Sequence, residues 1–409
     1  MVVNDYAAST TCLVVGGGPA GMMLGLLLAR AGVDVTVMEK HADFLRDFRG
    51  DTVHASTLRL LDELGLGEAF AALPHRMIDS ITASIQGTDV HVDLGGLPGA
   101  HKHIALVPQW DFLELLATAA ESEPSFHLLR STEVLAPIRS SGRITGVRYR
   151  GDDGVEREMR AVLTVACDGR SSTLRAAAGL STRNFGAPMD VWWFRLPRHA
   201  GDPHGLNGVF ASGHGCALID RGDYFQIAYL IRKGTDAAVR AEGIDALRDK
   251  VAELAPWLAG REGLESFDEV KLLDVQLNRL RRWYADGLLL IGDAAHAMSP
   301  IGGVGINLAV ADAVAAGRIL AAPLRRGAVA RRHLATVQVR RWLPAAIVQR
   351  VQRTVQDRAI AVAIGTDAGL REAPRAVRLA NRFPALRAIA AYGVAIGPLP
   401  EHAPAYARR

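Results

Sequence analysis

Residues 11–39 restrict the fold of this chain more than any other stretch. Thr11 to Val15 is a short apolar run, and Gly16-Gly17-Gly18-Pro19-Ala20-Gly21 follows it directly. Ala20 to Ala31 then places Met22, Leu26 and Ala29 among the apolar positions of a helix. Gly32 stops that helix, and Val33 to Glu39 alternates as a second strand. The segment therefore predicts a βαβ unit with a glycine-rich turn at its first corner.

Gly16-x-Gly18-x-x-Gly21 has a physical reading in that context. Gly16 permits a tight turn, Gly18 lets backbone approach a pyrophosphate, and Gly21 lets the helix pack close to the sheet. The helix N-terminus offers unpaired N–H groups and partial positive charge to an anion. Glu39 ends the second strand, 23 positions after Gly16, where a carboxylate can accept from ribose hydroxyls and argues against a 2′-phosphate. The motif alone does not separate FAD from NAD. No second G-x-G-x-x-G occurs in the chain.

Composition removes other classes. The 409 residues are 49% hydrophobic and 22% charged, as in a globular protein with a large core. A net charge of +4, from 47 basic and 43 acidic residues, gives no argument for nucleic acid. Cys12, Cys167 and Cys216 form neither a disulfide framework nor a metal-binding spacing. Met1 to Thr11 lacks the apolar stretch of a signal peptide, and no run reaches the roughly 20 apolar residues of a membrane span. The expected setting is a reduced cytoplasm.

Further along, Thr57–Leu64 and Asp111–Ala120 read as helices, and Ile81–Ile104 shortens into strands. Ile144, Val147 and Tyr149 alternate before the turn Gly151-Asp152-Asp153-Gly154, which predicts a hairpin. Val191–Leu196, Gly208–Ile219 and Tyr224–Ile231 predict a separate antiparallel sheet. Leu288–Ile291 reads as a buried strand, Asn307–Ala321 as a helix, and His333 to about Ile364 as a long basic helix. The expected fold class is α/β: a discontinuous Rossmann-like domain (1–75, 101–183 and 273–335), an inserted antiparallel sheet domain (76–100 and 184–272) and a helical C-terminal region (336–409). In that last region Arg378, Arg382 and Arg387 recur near Leu379, Phe383, Leu386 and Ile389. Packing against the nucleotide domain is the first reading of this pattern, contact with a membrane surface the second.

Two later segments narrow the class. Leu163 to Arg175 reads LTVACDGRSSTLR, and Leu288 to Asn307 reads LLLIGDAAHAMSPIGGVGIN. They resemble the "DG" and "GD" motifs of the group A, single-component FAD-dependent aromatic monooxygenases of the para-hydroxybenzoate hydroxylase type. The resemblance covers roughly residues 10–335 and is most specific at Pro300, Gly303, Gly305 and Asn307. It implies an FAD site built from Gly16, Gly18, Pro19, Ala20, Gly21, Glu39, Lys40, Arg49, Gln109, Val134, Asp168, Gly169, Asp293, Pro300, Gly303, Gly305, Ile306 and Asn307. In that site Asp293 reaches ribityl hydroxyls, and the backbone around Gly303 to Asn307 faces the electron-rich end of the flavin. His296, behind the GD motif, reads as structural.

The resemblance also implies a cycle. NADH or NADPH, visiting transiently, reduces FAD; O₂ forms a flavin C4a-hydroperoxide; one oxygen hydroxylates or epoxidises an apolar or aromatic small molecule. No catalytic triad or metal is then needed. The candidate substrate residues are His54, Met189, Trp193, Phe210, Phe225 and Tyr229, with sheet core as the competing role of each aromatic. The alternatives are a flavoenzyme of the same fold that inserts no oxygen (a dehydrogenase or redox-neutral cyclase) and a protein that keeps FAD for structure. Monomer and homodimer both remain open.

Overall fold

A computed structural model describes residues 8–45, 52–85, 88–211, 213–360 and 382–409. The nucleotide-side sheet runs, in spatial order, Tyr284–Ala285, Leu288–Leu290, Glu156–Ala166, Ser9–Val15, Val35–Met38 and Phe126–Leu129. All neighbours pair in parallel except the first two. Leu13 and Val14 lie at its centre, fully buried. Parallel strands with both faces covered need apolar side chains on both sides, which explains the continuous apolar runs.

Helix α1 (Pro19–Arg30) covers one face of this sheet and is buried over Ala20–Ala29. Helices α2 (Ala55–Glu63) and α3 (Gln109–Glu121) fall on the two sequence-predicted helical segments, each beginning two residues early. The predicted hairpin forms between Arg143–Arg150 and Glu156–Ala166.

The inserted sheet has seven strands, ordered Lys271–Leu273, Met189–Pro197, Tyr224–Arg232, His214–Asp220, Leu206–Ala211, Ser80–Ile85 and Thr88–Asp93. It is antiparallel except where Leu206–Ala211 runs parallel to Ser80–Ile85. The single strand expected over Gly208–Ile219 is two strands: Gly213, at φ +81°, turns the chain and Val209 then pairs with Cys216. Helix α4 (Ile244–Leu254) covers one face with Leu247 and Val251.

Helix α5 (Gly305–Arg325) packs on α1 beneath the parallel sheet. With the turn before it, α5 is long and apolar enough to cross a bilayer, contrary to the expectation from sequence, but most of its apolar length is buried inside the protein. It is a core helix. Helix α6 (Arg331–Val355) follows, and α7 (Pro384–Ala395) packs against Thr88–Asp93. The tail then returns to the nucleotide domain. Arg30 Nη1 donates to the carbonyls of Leu64 and Ala407, both at 2.8 Å, and Ala403 N donates to Glu63 Oε2 at 2.6 Å.

Candidate flavin and substrate site

The strand Ser9–Val15 ends in the glycine corner, and the corner's shape follows from what surrounds it. Gly16 sits at φ +104°, and a Cβ there would collide with the Cys167 carbonyl oxygen. A Cβ on Gly21 would collide with the Gly16 carbonyl oxygen. A Cβ on Gly18 would meet nothing within 4 Å. The corner is closed behind and open in front. Gly18 is the N-cap of α1, Pro19 takes the first turn, and no side chain caps the helix or places an acid there. Uncapped N–H groups at an open backbone surface suit an anionic group. Behind them Glu39 is buried, accepting from Gly17 N at 2.9 Å through Oε2 and from His41 N at 3.0 Å through Oε1. Lys40 beside it is exposed.

The other two segments meet this corner. Asp168 and Gly169 follow the strand Glu156–Ala166, so the turn lands against Gly16. Asp168 Oδ2 accepts from Leu174 N at 3.3 Å, while Oδ1 is buried without a partner. Burial pushes this carboxyl above the usual range. Arg175 donates to the Ala294 carbonyl at 3.0 Å and to the Arg170 carbonyl, tying the two turns together. Gly292 would place a Cβ 3.2 Å from that of Ala20. Asp293 is half-buried in the turn that follows.

Pro300 to Asn307 leads into α5. Thr52 Oγ1 donates to the Gly303 carbonyl at 2.7 Å. The Asn307 amide oxygen accepts from His54 N at 2.9 Å and Thr57 Oγ1 at 2.7 Å, and its Nδ2 donates to the Thr52 carbonyl at 3.2 Å. Asn307 therefore ties α5 to the segment entering α2. The first turn of α5, with Gly305 and Ile306, has no side-chain cap, and the space before Gly305 is open. Gln109 opens α3, and Val134 is buried beside Met38 and Leu129. Arg49 lies outside the described residues.

A buried charge cluster supports the second turn. Asp312 on α5 accepts from Gly292 N at 3.1 Å and from Arg341 Nε at 2.9 Å, and stands 2.6 Å from His296 Nε2. Burial raises its carboxyl, but His296 and Arg341 outweigh burial and hold it below the usual range. Arg341 Nη1 also stands 3.6 Å from Glu401 of the tail. Asp312 and Arg341 were missed in the sequence, where both helices read simply as apolar or basic; an aspartate among the alanines of α5 was the available signal.

The inserted sheet separates the substrate candidates by face. Met189 packs with Phe210, Leu230 and Ile301, and Ile301 belongs to the turn between Pro300 and Gly303. This face meets the nucleotide domain. Trp193 shares it, two residues beyond Val191, and its buried Nε1 has no partner. Phe225 and Tyr229 are corrections. Both point to the opposite face, packed with Trp192, Leu247 and Val251, and the Tyr229 hydroxyl stands 2.8 Å from His214 Nδ1. Residues two apart share a face, so Ala228 and Leu230 look toward Ile301 instead. His54 lies away from these side chains. Its buried ring directs Nδ1 to the Val394 carbonyl at 2.7 Å and leaves Nε2 without a partner, in a crevice lined by α2, the tail and Val304 and Asn307 at the start of α5.

An open glycine corner with an uncapped helix, a second uncapped helix and an unpartnered buried carboxylate oxygen fit a dinucleotide with an anionic centre and hydroxyl groups. Among the described residues, no group of three or more His, Cys, Asp and Glu side chains is placed to hold a metal ion. The FAD binding domain family matches residues 9–351. The chain is 34% identical over 389 residues to the 6-methylpretetramide 4-monooxygenase of Streptomyces rimosus, covering 93% of this chain and 91% of that protein. It is 30% identical to the 12-dehydrotetracycline 5-monooxygenase/anhydrotetracycline 6-monooxygenase of Streptomyces rimosus, covering 76% of this chain but 62% of that one. The solved structure of the OxyS anhydrotetracycline hydroxylase from Streptomyces rimosus superposes with a TM-score of 0.76 at 25% identity, covering 95% of this chain and 76% of that chain. The chain belongs to the FAD binding domain family and, within it, to the group A flavin-dependent aromatic monooxygenases.

Proposed function

We propose that this monooxygenase hydroxylates a polycyclic aromatic compound of the pretetramide kind, with NADH or NADPH as electron donor. The observation that carries the reading is the near end-to-end similarity to a monooxygenase named for 6-methylpretetramide. The partly buried side chains of Phe210, Leu230 and Ile301, gathered around buried Met189 and Ile360, are consistent with a flat apolar substrate. One O₂, one NAD(P)H and one proton convert a C–H bond to C–OH, with release of one water and NAD(P)⁺.

Bound FAD supplies the redox chemistry with O₂. The chain's own part is binding, orientation and exclusion of water. The open surface at Gly18 and the N-terminus of α1 would hold the pyrophosphate, with Glu39 accepting from the adenosine ribose. Asp293 would accept from the ribityl chain, and the N-terminus of α5, braced by Asn307, would favour negative charge on the flavin. Met189 and Phe210 would seat the substrate and keep that side dry.

The test is turnover of FAD-loaded protein with a pretetramide-type phenol, NADPH or NADH and ¹⁸O₂. The reading requires substrate-dependent oxygen uptake with one labelled atom in the product. Substrate oxidation or cyclisation without label would move the enzyme to the oxygen-free class. Flavin that neither nucleotide reduces would overturn the donor assignment.

A further inference from the structure

The outer side of α6 is built the wrong way round for a water-facing helix. Its inner face is formed by Leu334, Val337, Ala345 and Val348, all buried. On the outer face Val339, Leu343, Ile347, Val351 and Val355 recur every four residues, and Trp342 stands beside them. These six side chains are between 37% and 77% exposed. Valine and isoleucine are poor helix formers at exposed positions, so neither propensity nor solvation selects them there. A contiguous exposed apolar stripe marks a contact surface.

Charge identifies the occupant. Helix α6 contains six arginines and no acidic residue. From 331 to 400 the sequence carries twelve arginines against three acids, whereas the whole chain has an excess of only four positive charges. The rest of the chain is therefore net negative. On α6 itself Arg341 is buried against Asp312 and Arg340 pairs with Glu401, which leaves Arg331, Arg332 and Arg350 exposed on the helix that carries the stripe. Arg332 and Arg350, at the stripe's flanks, have no ion-pair partner among the described residues. A second copy of the chain fits poorly: an isologous pairing of α6 would set its arginines against each other with no carboxylate on the helix to neutralise them. An anionic bilayer satisfies both features, since apolar side chains enter the interfacial zone while arginines reach back to lipid phosphates.

We propose that the outward face of α6 attaches the protein to an anionic lipid surface, lying along it without crossing it. The experiment is co-sedimentation of the full FAD-loaded chain with vesicles of equal parts phosphatidylglycerol and phosphatidylcholine, against phosphatidylcholine alone. Binding to the anionic vesicles is expected to be at least roughly tenfold tighter and to weaken in high salt. Leu343→Glu with Ile347→Glu, both surface changes, should abolish it at unchanged FAD content and turnover. Arg350→Gln alone should weaken it about fivefold. Vesicle binding that survives Leu343→Glu with Ile347→Glu overturns the proposal. So does the absence of binding: a dimer that the double variant splits into monomers would give the face to a second copy, and a monomer that ignores vesicles would give it to another protein.

Discussion

His296 Nε2 and Asp312 Oδ2 stand 2.6 Å apart in a space sealed from solvent, and the same carboxylate oxygen receives the backbone N–H of Gly292. One aspartate thus fixes the turn that carries Asp293 and neutralises Arg341. Asp312→Asn keeps the size and removes the charge. It should destabilise the protein by roughly 3 kcal/mol, because a buried guanidinium loses the nearer of its two carboxylates and keeps only Glu401 at 3.6 Å. Adding Arg341→Met should recover much of that loss. Urea unfolding of the single and double variants measures both.

His54 predicts a pH dependence. Burial holds its imidazole at about 4, against an ordinary 6.5. Between those values the unfolded chain takes up a proton that the folded protein refuses, so stability falls as pH drops. The penalty is absent above about pH 6.5, complete below about pH 4, and amounts to roughly 3 kcal/mol. His54→Gln should remove that part of the slope. Unfolding free energies of both proteins at pH 7, 5.5 and 4.5 would show it, and parallel curves would refute it.

The glycine corner separates cofactor binding from folding. Gly18→Ala adds a methyl group to open space at φ −74°, so the fold should hold within about 1 kcal/mol while FAD affinity drops at least tenfold. Gly21→Ala drives the same methyl into backbone and should yield little folded protein. Flavin titration of purified Gly18→Ala decides the first point, and soluble yield of Gly21→Ala the second.

Opposite faces of the inserted sheet should answer differently. Met189→Trp enlarges a side chain packed toward Ile301 and should raise substrate KM about tenfold. Tyr229→Phe removes the contact to His214 on the far face, costing about 1 kcal/mol of stability and leaving KM within about twofold. Equal KM effects would mean that the sheet presents its other face to the substrate.

Much of this was legible in the sequence because its signals are local. Gly16, Gly18 and Gly21 lie in one corner, and their spacing encodes close approach directly. The meeting of Gly16 with Cys167 and of Ala20 with Gly292 follows once each segment ends a parallel strand or follows one. The sheet faces were not legible. Along Tyr224–Arg232 both alternating sets are apolar, Phe225, Ile227 and Tyr229 on one side and Ala228 and Leu230 on the other. Only Leu247 and Val251 of α4, arriving from later in the chain, decide which set becomes core. The role of Asp312 was hidden for the same reason: its partners lie 16, 20 and 29 positions away.

The bonds from Arg30 to the Ala407 carbonyl and from Ala403 to Glu63 have a consequence for biosynthesis. Residues 9–63 leave the ribosome long before the tail, yet α1 and α2 lack part of their packing until residues near 400 have emerged. Co-translational folding can assemble the inserted sheet while the nucleotide domain waits. FAD should therefore load after synthesis, and a ribosome stalled before residue 399 should display a nascent chain with a formed sheet and no tightly held flavin.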